Sequence, residues 1–250
     1  MIIIGNIYIN NNYYKIYNIM ELADKINEYY SNNKNELHSM FNYNENIIDG
    51  RICHSSIIVL NILDKFIDIN NYMEIGVHNG GSMTMMLSSN KNKNLYGIDL
   101  FEDMYNIEKH LNSEKFNTYG YFKRDNLSQQ KTIKNLNIIK NNYNNSSEIT
   151  MIQGNSYFDN TEEKFSNIIN GKLLDVLFID GDHTFDGVKN DYERYEKYVR
   201  KGGFIIFDDY HHEIIKKYVD GLLKNNSNLK LIIKFKSDTT KAIDTILQKV

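Results

Sequence analysis

The chain has 250 residues, 41% hydrophobic and 24% charged, enough for the core of one large domain and too apolar for a disordered chain. A net charge of −3 argues against a broad basic face for nucleic acid, and a single cysteine, Cys53, excludes an internal disulfide. No Cys/His spacing supports a structural zinc site, and no apolar run approaches the roughly 20 residues of a membrane helix. The opening MIIIGNIYIN lacks the basic start and small-residue cleavage site of a signal peptide. A soluble, intracellular protein with no membrane partner is expected.

Residues 1–50 read as a helical N-terminal extension, a lid or a dimer arm, set apart from a main domain at 51–250. Within it, apolar residues at Ile19, Leu22, Ala23, Ile26 and Tyr29 predict an amphipathic helix over 19–30, opened by Asn18. A second helical pattern runs over 55–66. Strands and helices then alternate: strand 72–75, helix 82–89, strand 95–99, helix 127–143, strand 149–152, strand 173–180, helix 186–199, strand 204–208 and helix 212–223. Strands 229–235 and 242–247 close the chain, and the short link between them requires antiparallel pairing. The pattern specifies an α/β fold, a Rossmann-like sheet of seven mostly parallel strands ending in an antiparallel hairpin. The aromatic-rich stretch 101–125 is too long for an ordinary connection and reads as a substrate lid. Asn runs such as 141–145 read as loop tips.

In open α/β sheets ligands bind beyond the carboxyl ends of the strands, so the residues that end each strand carry the information. Here they are Glu74 to Ser82, Asp99, Gln153 to Ser156, Asp180 to His183, and Asp208-Asp209. Acids dominate this rim, which suits a cationic ligand or a metal ion better than a polyphosphate. A dinucleotide fingerprint needs glycine where His78 stands, and a P-loop needs lysine after its last glycine, where Ser82 follows Gly81. The turn with Glu74, Gly76 and Gly80 instead leaves room for an amino-acid moiety and offers Glu74 to an ammonium group. Asp99, nineteen residues beyond Gly80, can accept both hydroxyls of a ribose. Together these features point to an adenosyl ligand.

Asp180 and the Asp208-Asp209 pair end strands that neighbour each other in this topology, about 4.8 Å apart. Carboxylates that close repel and raise one another's pKa, and a hard divalent cation such as Mg²⁺ removes the conflict. Helix capping by one or two of these aspartates is the alternative.

The segments YMEIGVHNGGS, LYGIDLF, VLFIDGDHTFDGVKNDYERY and GGFIIFDD together resemble the class I S-adenosylmethionine-dependent methyltransferases, over about residues 50–250. More narrowly they resemble the metal-dependent O-methyltransferases of the macrocin, or sugar, type, and more distantly the catechol and caffeoyl-CoA enzymes. The resemblance implies that Glu74, Gly76, Val77, Gly80 and Ser82 line the methionine end of S-adenosylmethionine. It also implies that Asp99 holds the ribose, that Asn155 and Ser156 sit beside the adenine, and that Asp180, Asp208 and Asp209 bind Mg²⁺ or another divalent cation. Catechol-type enzymes usually carry Asn at the position of Asp209, so the Asp-Asp pair favours the sugar-type branch. The general base falls on Asp182 or His183.

The activity this implies is methyl transfer to a hydroxyl of a small molecule, a sugar or glycan precursor. A catechol-type acceptor and a non-catalytic nucleotide- or glycan-binding module are the alternatives. A homo-oligomer is compatible with the Tyr-rich N-terminal segment. His211 and His212 follow the Asp208-Asp209 pair and read as surface residues at a helix start, with a contribution to the site as the alternative; His78 reads as pointing outward and Cys53 as a core residue, and His54 opens the helix before the first strand, where relatives contact the cofactor.

Overall fold

The computed structural model describes residues 6–9, 12–15, 19–48, 52, 54–101 and 128–250. In chain order the elements are β1 (Asn6–Ile9), β2 (Asn12–Lys15), α1 (Ile19–Ile47), a 3-10 turn (Ser55–Ile57), α2 (Ile58–Phe66), β3 (Asn71–Ile75), α3 (Gly81–Leu87) and β4 (Asn94–Asp99). They continue with α4 (Gln129–Asn142), β5 (Glu148–Gln153), α5 (Asp159–Ile169), β6 (Leu174–Ile179), α6 (Phe185–Tyr195), β7 (Val199–Phe207), α7 (Glu213–Asn225), β8 (Leu229–Phe235) and β9 (Asp244–Lys249).

β1 and β2 form a two-stranded antiparallel pair. The other seven strands form one sheet in the order β5-β4-β3-β6-β7-β9-β8. β9 runs against both of its neighbours, and the remaining pairings are parallel. Expected α/β architecture and C-terminal hairpin are both present. Chain order reverses direction between β3 and β6, the switch point at which such sheets open a crevice.

Alternation along the strands divides the core in two. Tyr72, Leu95, Val176, Phe178, Phe204, Ile206 and Ile246 pack with α1 to α4 on one face. Met73, Ile75, Ile98, Leu177, Ile179, Ile205 and Phe207 pack with α5, α6 and α7 on the other. Strands buried on both faces explain the unbroken apolar runs of β6 and β7.

The same alternation aims the acids. Glu74, Phe178, Ile206 and Ile246 are in register across four adjacent strands. Two residues further toward the rim, the same face therefore carries Gly76, Asp180, Asp208 and, on antiparallel β9, Asp244.

Five elements depart from the sequence expectation. The helix predicted at 19–30 continues to Ile47, because Leu37 and Phe41 prolong the buried stripe begun by Leu22 and Ile26. Buried Asn44 fastens its far end, donating to Ser88 Oγ at 2.7 Å and accepting from the Tyr143 hydroxyl at 3.2 Å. Helix α5 has no counterpart in the expected pattern, since its polar sequence buries little beyond Thr161, Phe165 and Ile169. The β1–β2 pair is likewise unanticipated. β7 starts at Val199, the last residue assigned to the preceding helix, and takes in 200–203, which the sequence pattern assigns to no element. The readings of 101–125 as a lid and of Cys53 as core concern positions that, Phe101 apart, lie outside the described residues. Among the described residues, no helix is long and apolar enough to cross a membrane.

Gly76 fixes the approach of the β3 turn to the end of β6. Its φ is +88°, and a Cβ there would lie 1.9 Å from the Asp180 carbonyl oxygen. Gly171 shares the left-handed backbone (φ +74°) but faces open space. Gly171→Ala should therefore cost about 1–2 kcal/mol, the left-handed penalty alone. Gly76→Ala should cost more than about 3 kcal/mol, because backbone must also move. Urea unfolding of the two variants checks the difference, and equal losses would contradict it.

Candidate active site at the carboxyl rim

The Gly-rich turn after β3 is held from beneath by α4. Thr132 Oγ1 donates to the His78 carbonyl at 2.6 Å, and Leu136 fills the space beside Gly80, where a Cβ would meet it at 2.8 Å. Gly80 adopts φ +88° and starts α3. Asp99 ties the turn to β4: its Oδ2 accepts from the His78 amide at 2.7 Å and its Oδ1 from the Phe101 amide at 2.8 Å. A carboxylate has lone pairs beyond these two bonds, so Asp99 keeps acceptor capacity.

Glu74 is fully buried and accepts hydrogen bonds from the Tyr72 hydroxyl, at 2.7 Å, and from Ser82 Oγ. Burial pushes its pKa up to about 8, against the lowering effect of those two donors. Val77 is buried behind the turn. Asn155 and Ser156 form the turn after β5, where Asn155 Oδ1 accepts from the Tyr157 amide at 2.9 Å and the Ser156 carbonyl from the Tyr195 hydroxyl at 3.3 Å. The candidate cofactor residues thus occupy the ends of β3, β4 and β5, side by side in the sheet.

The acids form the other half of the rim. Asp209, at φ +53°, is one of three non-glycine residues in left-handed backbone that follow strands β3, β4 and β7; the others are His78 (φ +52°) and Phe101 (φ +49°). Such strain collects at functional rims. Three ligand-like groups share Asp209, each with its atoms within 4.8 Å: one with Asp180 and His183, one with His54 and Asp208, one with His211 and His212. His183 bridges two of the acids, with Nε2 3.1 Å from Asp180 Oδ1 and Nδ1 3.6 Å from Asp209 Oδ2. His54 Nε2 lies 2.9 Å from Asp208 Oδ1 and 3.7 Å from Asp209 Oδ1.

Protonation follows from this crowding. Burial, then the charges of Asp208 and Asp209, push Asp180 well above the usual carboxylate range. For Asp208 burial acts upward too, but the His54 charge and hydrogen bonds from Asp244 and His54 outweigh it and hold its pKa well below normal. Burial lowers His54, and Asp208 more than reverses that, so the imidazole favours its charged form. Asp244 is raised well above normal by burial and by Asp208, so it is a neutral acid beside an ionised one.

Asp182 behaves differently from its neighbours. Both its oxygens accept from Thr184, the amide and the hydroxyl each at 2.9 Å, and its carboxyl packs against Gly187 at the start of α6. It belongs to none of the three ligand-like groups. His183 belongs to one.

The sequence reading favours surface positions for His211 and His212, places His54 near the cofactor rather than the acids, and does not single out Asp244. His211 Nδ1 and His212 Nε2 come within 3.5 Å and 3.7 Å of Asp209, because the turn after β7 folds back, with the His212 amide donating to the Asp209 carbonyl at 2.8 Å. His54 arrives from 154 positions away. The signal in the sequence is the closeness of His211 and His212 to the Asp208-Asp209 pair.

Residues 73–210 match the family described as a methyltransferase domain, more than half of the chain. The chain belongs to this family. An uncharacterized protein of Acanthamoeba polyphaga mimivirus is 35% identical over 166 residues, 64% of this chain and 62% of the relative, so the chain spans less than two thirds of that protein's length. Among solved structures, an O-methyltransferase from Bacillus cereus in complex with SAH is similar with a TM-score of 0.53 at 14% identity, covering 85% of this chain and 90% of that one. The O-methyltransferase TomG from Streptomyces achromogenes, involved in tomaymycin synthesis and solved with SAM, gives 0.52 at 12% identity, covering 86% and 89%. At these identities the structures establish the fold alone, the Rossmann-like methyltransferase fold.

The buried acid of the turn makes a linkage prediction. Glu74 is raised from 4.5 to about 8, so between those values the folded state holds a proton that the unfolded state has released. Stability should then fall as pH rises through this window, by up to about 1.4 kcal/mol per pH unit from this group. Glu74→Gln should lose that slope while keeping the Tyr72 and Ser82 contacts. Chemical denaturation of the ligand-free protein at pH 5, 6, 7 and 8 checks it, and identical slopes in the two proteins would contradict it.

Proposed function

We propose that the protein is an S-adenosylmethionine-dependent O-methyltransferase that methylates a hydroxyl of a small polyhydroxylated molecule, a sugar or glycan precursor, with a divalent cation at the carboxylate rim. The observation that carries this reading is the gathering of Asp180, Asp208 and Asp209 around His54 and His183, beside the Glu74–Ser82 turn, in a chain of the methyltransferase family.

The residues present fit both groups. Glu74 and Ser82 would hold the amino-acid end of the cofactor, with Gly76, Val77 and Gly80 shaping the turn. Asp99 would hold the ribose, and Asn155 and Ser156 would flank the adenine. S-adenosylmethionine supplies an already activated sulfonium methyl when bound. Asp180, Asp208 and Asp209 would hold the cation, which lowers the pKa of a neighbouring hydroxyl when bound. Mg²⁺ or Mn²⁺ fits the oxygen donors.

The chain's own contribution is positioning and proton transfer. His183, shared between Asp180 and Asp209, would accept the acceptor's hydroxyl proton at a ring nitrogen. The two bonds of Asp182 to Thr184 support His183 over Asp182 as the base. Asp182 then anchors Thr184, the residue that caps α6. Orienting the hydroxyl against the methyl accounts for most of the expected rate, because the leaving group needs no further activation.

Transfer of labelled methyl from S-adenosylmethionine to a panel of sugars, with Mg²⁺, Mn²⁺ or EDTA, tests the reading. Activity should require the cation, and Asp208→Ala should reduce turnover by more than about 100-fold while S-adenosylhomocysteine still binds. Turnover undiminished in EDTA would refute the metal role. Loss of both turnover and binding in the variant would make Asp208 structural.

A further inference from the structure

Asp209 is surrounded by nitrogen. Among the described residues, four of the chain's seven histidines bring a ring nitrogen near its carboxylate: His211 Nδ1 at 3.5 Å, His183 Nδ1 at 3.6 Å, and His212 Nε2 and His54 Nε2 at 3.7 Å. These separations exceed the roughly 2.7–3.2 Å of an N–H···O bond. By contrast His54 stands 2.9 Å from Asp208, and His183 stands 3.1 Å from Asp180. Those two imidazoles each have a closer carboxylate of their own, whereas His211 and His212 converge on Asp209.

The turn after β7 produces that convergence. Neighbouring residues of an extended chain point to opposite faces. Here Asp209 is left-handed, at φ +53°, and the His212 amide donates to its carbonyl at 2.8 Å, which folds the chain back. The rings of His211 and His212 therefore lie side by side, 4.2 Å apart and tilted by 39°. One ring nitrogen from each and one Asp209 oxygen all fall within 4.8 Å of one another. Ligands about 2.0–2.1 Å from a tetrahedral ion are roughly 3.4 Å apart, so both imidazole–carboxylate distances are already near what an ion needs.

Donor chemistry names the ion. Three carboxylates suit Mg²⁺, while two imidazoles and one carboxylate suit Zn²⁺, Co²⁺ or Ni²⁺. Three protein ligands leave a coordination position open to water or another molecule. The His211 and His212 side chains are 30% and 37% exposed, so an ion reaches them from solvent. Both histidines also lie just past the family stretch, which ends at residue 210.

We propose that Asp209, His211 and His212 form a second cation site on the rim, for a transition ion of the Zn²⁺ class. Asp209, shared with the oxygen-donor set, is its one link to the reading above, and the site needs neither S-adenosylmethionine nor methyl transfer.

The full chain, stripped of metal, is titrated calorimetrically with Zn²⁺ and with Mg²⁺ as wild type and as Asp180→Asn, which disables the oxygen-donor set. Asp180→Asn should still bind Zn²⁺ and should bind Mg²⁺ far more weakly. Adding His211→Ala or His212→Ala to that variant should weaken Zn²⁺ by at least about tenfold. No Zn²⁺ binding to Asp180→Asn, Mg²⁺ binding there as tightly as Zn²⁺, or unchanged Zn²⁺ affinity in both double variants would each overturn the proposal. Thermal melting checks that every variant is folded. Where one is not, the wild type decides by imidazole ¹⁵N NMR: the His211 and His212 resonances should shift with Zn²⁺ in the presence of excess Mg²⁺, and unshifted resonances would overturn the site. Absence of Mg²⁺ binding to the wild type would remove the oxygen-donor reading and leave this site standing.

Discussion

Like charge at close range is the constraint on which this structure turns. Register across β6, β7 and β9 brings Asp180, Asp208 and Asp244 to one face of the rim, and Asp209 lies immediately beyond. Buried carboxylates cannot all ionise so close together. The fold meets this by splitting their states: Asp244 stays neutral, Asp208 stays ionised against His54, and Asp180 is raised. The packing of Gly76 against Asp180 belongs to the same compromise, since it brings main chain unusually close to the cluster.

His54 joins two parts of the molecule that differ in character. On one side lies the methyltransferase-family sheet with its acids. On the other lie α1 and the β8–β9 turn, which are outside the shared stretch and are pinned together through Tyr30, Lys34 and Asp238.

The sheet was legible because its strands are apolar runs that stop at an acid or a glycine: Ile75-Gly76, Ile98-Asp99, Ile179-Asp180 and Phe207-Asp208 each mark both a strand end and a rim position. What escaped was either weakly amphipathic or assembled over long separations. The second half of α1 is written in Asn, Lys and Glu, with Leu37, Phe41 and Asn44 as its only buried positions. Helix α5 buries three side chains. His54 and Asp244 depend on register and on chain returns spanning most of the sequence, and spacing along the chain does not encode them. Asp182 and His183 were equivalent in the sequence, and only the turn at Thr184 separates them.

The account stands most directly on what the rim binds. Thermal unfolding of the purified protein with S-adenosylhomocysteine or with NAD, each with a divalent cation and with EDTA, measures this. A ligand confined to the folded state stabilises it by about 2.7 kcal/mol at a hundredfold excess over Kd. The account predicts a clear rise in Tm with S-adenosylhomocysteine, a further rise when the cation is present, and none with NAD. No rise with S-adenosylhomocysteine, or a larger one with NAD, would contradict it.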